Sequence, residues 1–335
     1  MENWGLVKVI GQGSYGVVCL AKQESEENPD LHHYFAVKLA SLQNNSSLLW
    51  EEQVLKHFKD CPEIVQYLGS EIIRGDSVID MDVYTLKLEY AAGGTLDDLI
   101  KQKQMLPEDE VKDYLRMILK GLSCIHRKGF VHVDLKPANI LAFPQSDGKM
   151  KLKIADFGLA ERCKYKEDDQ DRKYWYGPLK FKGTPKYMSP ESILFSEVNG
   201  AHDIWSLGCI LVKMVSGKSV WNDCKSCELM TKLLDNKDIP TIPKELSKQG
   251  KDFIKKCFIR NYKRRWTAGM LLQHPYLNKE NEGTKKGDEM LKLTKAIFVP
   301  HQFFKSKAQC SNNGKSNLRK EDYLPHLLYK TKSNK

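Results

Sequence analysis

The sequence lacks a long hydrophobic segment. No run approaches the roughly 18 apolar residues of a membrane-spanning helix, and the most apolar stretch, WSLGCILVKMV, is interrupted by Lys213. The first residues, MENWGLVKVI, do not show a basic region followed by an apolar one, the pattern of a secretory signal. Glu2 stands where myristoylation needs glycine, and the chain ends in SNK rather than in a prenylation signal. We therefore expect no membrane span and a cytoplasmic location, a nuclear location or both.

The sequence also lacks a cysteine framework. Its nine cysteines are an odd number, scattered from Cys19 to Cys310 without paired spacing. Cys224 and Cys227 form a lone CxxC motif, and neither a second pair nor histidines at ligand spacing lie nearby, so zinc is not expected. The cysteines are therefore predicted to be reduced thiols, as is usual inside cells.

Positive charge is concentrated near the end of the chain. The 335 residues carry a net charge of +10, and residues 278–335 supply +7 of it, with 13 basic and six acidic residues. The remainder is nearly balanced, and 41% hydrophobic with 29% charged residues is typical of a folded chain. Because the basic residues are dispersed, stable nucleic-acid binding is not expected, although a tail that binds nucleic acid or anionic lipid stays open as an alternative.

Two textures divide the remaining sequence and predict an α+β fold with two lobes. Residues 1–89 read as a small sheet-rich lobe with one helix at about 46–59, whereas residues 90–277 read as a larger, mainly α lobe. A basic tail, partly helical or disordered, is predicted for residues 278–335. The expected strands are 4–11, 15–22, 34–40, 63–69 and 83–90.

Three glycines, Gly11, Gly13 and Gly16, form a GxGxxG motif between β-branched residues. A dinucleotide-binding motif would open a helix, whereas this context predicts a strand, a turn and a second strand. Glycines let the backbone of such a hairpin approach phosphate oxygens without a Cβ in the way. The motif therefore indicates a flap over a nucleotide.

Lys38 lies in the middle of an apolar strand, AVKLA, where a buried ammonium needs a partner. The helix that follows offers adjacent carboxylates at Glu51 and Glu52. We select Glu51 as the partner, because Val54 and Leu55 then pack on the same helix face. This pair would hold Lys38 against the phosphates of a nucleotide.

A short polar segment between apolar runs, FVHVDLKPANILA, carries His132, Asp134, Lys136 and Asn139. Asp134 can accept a hydroxyl proton and Lys136 can neutralise a moving phosphoryl group. Asn139 can give an oxygen to a metal, as can Asp156 in LKIADFGLA. Two oxygen ligands near phosphates predict Mg²⁺ rather than zinc.

With these motifs in order, the chain resembles a eukaryotic protein kinase from Trp4 to about Leu277. The resemblance implies a cleft for ATP and Mg²⁺ and a substrate-docking segment at GTPKYMSPE, in which Glu191 would pair with Arg265. It also implies that Asp203 braces the catalytic loop. Beside the three glycines and Lys38, the implied nucleotide-binding residues are Ile10, Val18, Ala36, Leu88 as gatekeeper, Glu89, Ala91 and Leu141.

Lys136 together with Gly183-Thr184 resembles the serine/threonine type of kinase, in which Thr184 would hydrogen-bond Asp134 and Lys136. Within that type, CPEIVQYLG, LEYAAGGTLDDLI and GFVHVDLKPANIL are similar to short, single-domain plant mitogen-activated protein kinase kinase kinases. This similarity implies phosphorylation of a mitogen-activated protein kinase kinase. The alternatives are a catalytically dead scaffold and a kinase of another pathway.

Val133 departs from the family, which usually has arginine between His132 and Asp134. That arginine normally binds a phosphate on the activation segment. Between Gly158 and Ser189, Thr184 is the only serine or threonine. We therefore hypothesise that phosphorylation of this segment does not switch the enzyme on; whether Tyr174 or Tyr176 is modified stays open.

The tail carries one further resemblance. Lys285-Lys286 followed by Leu291-Lys292-Leu293 resembles a docking peptide for mitogen-activated protein kinases. The segment EMLKLTKAIF reads equally well as an amphipathic helix. Docking through the tail is therefore one of two open interpretations.

Overall fold

The computed structural model describes residues 4–13, 16–24, 32–74, 82–163, 182–194, 199–222, 224, 226–234 and 238–278. The predicted tail beyond residue 278, with its docking peptide, lies outside the described residues. So do Tyr174 and Tyr176.

The small lobe is a five-stranded antiparallel sheet with the order β1-β2-β3-β5-β4. Its register pairs Val18 with Lys38 and Ala36 with Leu88, so residues expected around a nucleotide lie side by side. One helix, α1 (Ser46–Leu55), follows β3 and ends in a 3₁₀ turn at Lys56–Phe58. The strands are β1 (Trp4–Gly13), β2 (Gly16–Glu24), β3 (His32–Ser41), β4 (Tyr67–Ile73) and β5 (Val83–Glu89).

The strand predicted at 63–69 is displaced, because β4 begins only at Tyr67. Ile64 and Val65 are apolar and β-branched, so the segment resembles a strand in sequence, and both side chains are buried. Their turn binds the large lobe instead: Val65 N–H donates to the Ile154 carbonyl at 2.9 Å, and Ile154 N–H donates to the Glu63 carbonyl at 2.8 Å. The apolar side chains therefore indicate burial here; Ile64 bridges to Ile154 of β8 and does not join the five-stranded sheet.

The large lobe is mainly helical, and the two-lobed α+β architecture is confirmed. An apolar stripe along α3 (Glu108–Arg127) is buried, and α5 (Gly200–Ser216) is buried over most of its surface. Two short antiparallel strand pairs, β6 (Phe130–Val131) with β9 (Glu161–Arg162) and β7 (Ile140–Pro144) with β8 (Met150–Ile154), flank the polar segment 132–139. The helices are α2 (Leu96–Lys103), α3 (Glu108–Arg127), α4 (Pro190–Leu194), α5 (Gly200–Ser216), α6 (Ser226–Leu234), α7 (Lys248–Cys257) and α8 (Ala268–Leu272).

Cys61 and Cys124 correct the expectation that all cysteines are reduced, because the structure joins them in a disulfide bond. Cys61 lies in the turn after α1 and Cys124 lies on α3, 63 residues later. Sequence spacing could not indicate the pair, since the two residues meet only where this turn packs on the large lobe. The free cysteines of the described residues are Cys19, Cys163, Cys209, Cys224 and Cys257.

Within the part of the chain that the structure describes, no helix combines the length and apolar character needed to cross a membrane.

Candidate active site

A cleft of about 530 Å³ opens between the β1–β2 hairpin, the segment after β5 and the catalytic loop. Gly13, also predicted to bind nucleotide, pairs with Gly16 where the hairpin closes. The structure brings the other predicted nucleotide-binding residues to the walls of this one cleft. They are Ile10, Gly11, Gly16, Val18, Ala36, Lys38, Leu88, Glu89, Ala91 and Leu141.

Gly16 shows why the hairpin needs glycine. Its φ is +138°, and a Cβ at this position would lie 2.1 Å from the Leu39 carbonyl oxygen. Any side chain would therefore force β2 away from β3. The close approach of the strands keeps the hairpin over the cleft.

Lys38 lies between two carboxylates at the back of the cleft. Its Nζ is 2.7 Å from Glu51 Oε2 and 2.8 Å from Asp156 Oδ1, and Phe157 N–H donates to Glu51 Oε1 at 3.1 Å. Burial alone would lower the pKa of Lys38, but the charges of Glu51 and Asp156 outweigh it and raise that pKa above its ordinary value. For Asp156 the directions are reversed: burial would raise the pKa of its carboxyl group, but Lys38 outweighs burial and lowers that pKa. The group therefore presents an ammonium and an ionised carboxylate at neutral pH.

The catalytic loop gathers the other predicted polar residues. Lys136 Nζ is 2.6 Å from Asp134 Oδ2 and 2.9 Å from Thr184 Oγ1, and Thr184 Oγ1 donates to Asp134 Oδ1 at 2.7 Å. Asn139 Nδ2 donates to the Asp134 carbonyl at 2.9 Å. Since Asn139 makes this contact through nitrogen, its amide oxygen is the atom that could ligate a metal.

Asp203 on α5 holds the catalytic loop in place through its backbone. Its fully buried carboxylate accepts from the backbone N–H of His132 at 2.9 Å and of Val133 at 3.1 Å, and lies 2.8 Å from His126 Nε2. Burial would raise the pKa of Asp203, but the hydrogen bond and charge of His126 lower it below its usual value. These contacts hold Val133 at a φ of +73°, which a β-branched residue rarely adopts.

Glycine also lets the docking segment approach the catalytic loop. Gly183 has a φ of +99°, and a Cβ there would lie 2.8 Å from the Val133 carbonyl oxygen. This approach brings the next residue, Thr184, onto Asp134. The segment is tied down further along by the predicted ion pair, in which Arg265 Nη1 lies 2.6 Å from Glu191 Oε1. Burial would raise the pKa of Glu191, but Arg265 lowers it.

Sequence reasoning missed several cleft residues. Ser47, Thr95 and Asp98 also line the cleft. Thr95 caps α2 in a capping box with Asp98, and the Thr-x-x-Asp spacing after Gly93-Gly94 was the signal that could have indicated it. Glu89 carries a second function that was not foreseen, because its side chain accepts from Lys153 Nζ at 2.6 Å.

The donor set fits a nucleotide with a bound metal ion. The walls from Val18, Ala36 and Leu141 are apolar, as a purine ring requires, and Lys38 supplies a cation for phosphate oxygens. Asp156 and Asn139 offer carboxylate and amide oxygens, the ligands of a hard divalent cation. This arrangement can hold a phosphoryl donor beside a proton acceptor.

Comparisons with known proteins agree with this chemistry. The family model described as "Protein kinase domain" matches residues 4–277. Mitogen-activated protein kinase kinase kinase 20 of Arabidopsis thaliana is 37% identical over 298 residues, covering 87% of this chain and 83% of that protein.

Two further relatives are much longer than this chain. Mitogen-activated protein kinase kinase kinase YODA of Arabidopsis thaliana is 35% identical over 282 residues, or 82% of this chain and 29% of that protein. The serine/threonine-protein kinase BCK1/SLK1/SSP31 of Saccharomyces cerevisiae is 32% identical over 304 residues, or 88% of this chain and 19% of its own length. The matched region of both is thus a minor part of a larger protein. With the family match over most of its length, this chain belongs to the protein kinase family and is a serine/threonine protein kinase of the mitogen-activated protein kinase kinase kinase type that uses ATP and a divalent metal ion.

Proposed function

We propose that this kinase phosphorylates a mitogen-activated protein kinase kinase on serine or threonine, with Mg²⁺ as its metal ion. The observation that carries the proposal is the contact of Thr184 with both Asp134 and Lys136, which arranges base, cation and docking segment around one hydroxyl. The names of the relatives support the choice of substrate.

In this mechanism the substrate hydroxyl lies against Asp134, which accepts its proton as the oxygen attacks the γ-phosphorus of ATP. The bond from that phosphorus to the bridging oxygen breaks, and ADP leaves. Lys136 neutralises charge on the moving phosphoryl group, while Lys38 holds the remaining phosphates. Mg²⁺ bound by Asp156 and Asn139 would supply further positive charge at the phosphates, and their oxygen donors favour it over softer metals.

The enzyme is active without phosphorylation of its activation segment in this proposal. Val133 replaces the arginine that would bind the phosphate, and its side chain is buried. Thr184 is already engaged with Asp134. A Thr184→Glu variant should therefore lose activity, because the added charge meets Asp134; an increase in activity would contradict the proposal.

Location and further partners are proposals as well. We propose a cytoplasmic or nuclear location, and fluorescence microscopy of a tagged chain tests it. The Cys61–Cys124 disulfide argues against this location, because those compartments keep most thiols reduced. Docking of a mitogen-activated protein kinase by residues 285–293 is tested by deleting them and measuring pull-down.

The main experiment measures Mg²⁺-dependent ³²P transfer from ATP to a catalytically dead mitogen-activated protein kinase kinase, using phosphatase-treated enzyme. Wild type should transfer phosphate, whereas Asp134→Asn and Lys38→Met should lose at least about 100-fold of the rate. The matched controls Asp147→Asn and Lys149→Met alter exposed residues of the β7–β8 turn and should retain full activity.

Each outcome has a distinct meaning. Transfer to a general serine/threonine substrate, but not to the kinase kinase, would support a kinase of another pathway. Nucleotide binding without transfer in every form would support the scaffold alternative. Activity that appears only after an upstream kinase acts would contradict constitutive activity.

A further inference from the structure

Glu52 lies beside Glu51 on α1 but faces β4 and β5 instead of the cleft. Its Oε1 accepts from Tyr67 Oη at 2.9 Å and from Ser70 Oγ at 2.7 Å, both on β4. Its Oε2 accepts from Tyr84 Oη on β5. One carboxylate thus binds two strands of the sheet, and we call Glu52, Tyr67, Ser70 and Tyr84 the Glu52 cluster.

The helix that carries Glu51 needs such contacts. With ten residues, α1 is shorter than the roughly 12–15 residues at which an isolated helix becomes marginally stable. Its N-cap, Asn45, makes no side-chain capping hydrogen bond. Leu48, Val54 and Leu55 are buried beneath it, but apolar contact is not directional and tolerates small rotations of the helix. Hydrogen bonds depend on angle, so they resist such rotations.

The charge state keeps the Glu52 cluster intact over a wide pH range. Partial burial would raise the pKa of Glu52, but hydrogen bonds from Lys56, Tyr84, Ser70 and Tyr67 outweigh it and lower that pKa to about 2. Burial and the bond to Glu52 raise the pKa of Tyr84 to about 12. At neutral pH the carboxylate accepts and the phenol donates.

We propose that Glu52 is a positioning residue for phosphoryl transfer: by binding β4 and β5, it holds α1 where Glu51 contacts Lys38. Glu51 and Glu52 are consecutive on a helix, so a rotation that breaks the Glu52 cluster also moves Glu51 Oε2 from its 2.7 Å contact with Lys38 Nζ. The resting position of Glu51 at Lys38 then needs no activating partner. The inference rests on the phosphoryl transfer of the proposed function and not on the identity of the protein substrate.

The test compares Glu52→Gln with the matched control Glu71→Gln. Glu71 is also a hydrogen-bonded carboxylate of the small lobe. Its partners are Trp4 Nε1 at 2.8 Å and Lys87 Nζ at 2.9 Å, and neither of these residues lies on α1. Both substitutions keep side-chain shape and remove a charge. Hydrogen exchange of the α1 backbone amides, measured on the full chain without nucleotide, reports the helix directly.

In Glu52→Gln we expect α1 amides to exchange at least about tenfold faster, and kcat/KM for ATP to fall at least about tenfold. KM for the protein substrate should stay the same, since Asp134 and Thr184 are untouched; general destabilisation would not produce this split. Glu71→Gln should change neither quantity. Unaltered α1 exchange in folded Glu52→Gln, or an equal change in Glu71→Gln, would overturn the proposal.

Tyr84→Phe provides a second, milder variant in case Glu52→Gln fails to fold. It removes one hydroxyl donor, so α1 exchange should become faster and kcat/KM for ATP should fall, each by a smaller factor than in Glu52→Gln. No effect of Tyr84→Phe on either measurement would also count against the Glu52 cluster. Hydrogen exchange needs no substrate, so failure of this inference is distinguishable from failure of the proposed substrate.

Discussion

The two halves of the active site are held by different means. In the large lobe, Asp203 lies on α5, a helix of 17 residues buried over most of its surface, and it accepts from the catalytic-loop backbone. In the small lobe, Glu51 lies on α1, a ten-residue helix without a capping side chain. The large-lobe half is therefore positioned by the core itself, whereas the small-lobe half depends on a few directional contacts. Mutation of the first should therefore lower both stability and activity, whereas mutation of the second should lower activity with a smaller loss of stability.

The largest effect is expected from Asp203→Asn. It removes the charge that holds two backbone amides and His126, and we expect a loss of about 3–5 kcal/mol in the free energy of unfolding. Because the loop moves, phosphoryl transfer should fall at least about 100-fold. Urea unfolding and ³²P transfer measure the two losses.

Asp252→Asn is the matched control for Asp203→Asn. Asp252 also contacts a histidine, His274, at 3.0 Å, but its side chain is 55% exposed. Its replacement should change stability by less than about 1 kcal/mol. Equal losses in the two variants would show that burial does not distinguish the catalytic-loop brace from a surface pair.

Reduction of the Cys61–Cys124 bond probes the boundary between the lobes. The bond closes a loop of 63 residues, and its loss should cost about 2–4 kcal/mol through entropy of the unfolded chain. The melting temperature of wild type should fall in dithiothreitol, whereas Cys61→Ser should melt at the lower temperature with or without it. Cys19→Ser, at a buried free thiol, should keep the dependence on reductant. A melting temperature unaffected by reductant would contradict this prediction.

Arg265→Lys compares a buried pair with an exposed one in the other lobe. Lysine cannot reproduce the two contacts with Glu191, at 2.6 and 3.0 Å, and we expect a loss of about 2 kcal/mol. Arg74→Lys changes a small-lobe pair with Asp82 whose arginine is 82% exposed, and should cost less than about 0.5 kcal/mol. Chemical denaturation measures the free energy of unfolding of both variants. An equal loss in the two would contradict the expected difference between a buried and an exposed pair.

The smallest effect concerns pH and the Glu52 cluster. The pKa of Glu52 falls from about 4.3 in the unfolded chain to about 2 in the folded one. Its stabilisation is therefore complete above about pH 5 and is lost as pH falls toward 2. Melting temperatures measured from pH 5 to pH 3 should fall less steeply in Glu52→Gln than in wild type, and parallel curves would argue against this assignment.

Much of the site could be predicted from residue type and order. A lysine in an apolar strand demanded a carboxylate, and Glu51 was the correct choice over Glu52 for contact with Lys38. The segment from His132 to Asn139 was predicted to carry the proton acceptor, and the structure brings Lys136, Thr184 and Asn139 to Asp134. These predictions succeeded geometrically because buried charges require partners, and few candidates lay at suitable positions.

Other features could not be predicted because they depend on residues far apart in the chain. Ile64 and Val65 look like a strand, but their backbone groups pair with the large lobe. Cys61 and Cys124 meet only when the turn after α1 packs on α3. Glu52 was not selected as the partner of Lys38, and nothing in the local sequence indicated that it would accept hydrogen bonds from three hydroxyl groups on β4 and β5.

The sequence by itself determined the set of candidate site residues: a glycine hairpin, a buried lysine, an aspartate with a neighbouring cation, and side-chain oxygens suited to a metal ion, all in the order of a protein kinase. These are local patterns, and each follows from what one residue type can do. Only the tertiary structure decided that Glu51 rests on Lys38 and that Val133 is held at a positive φ. It also decided that Glu52 binds the sheet. The physical reason is that such arrangements are set by contacts between distant segments, whose geometry exists only once both lobes have packed.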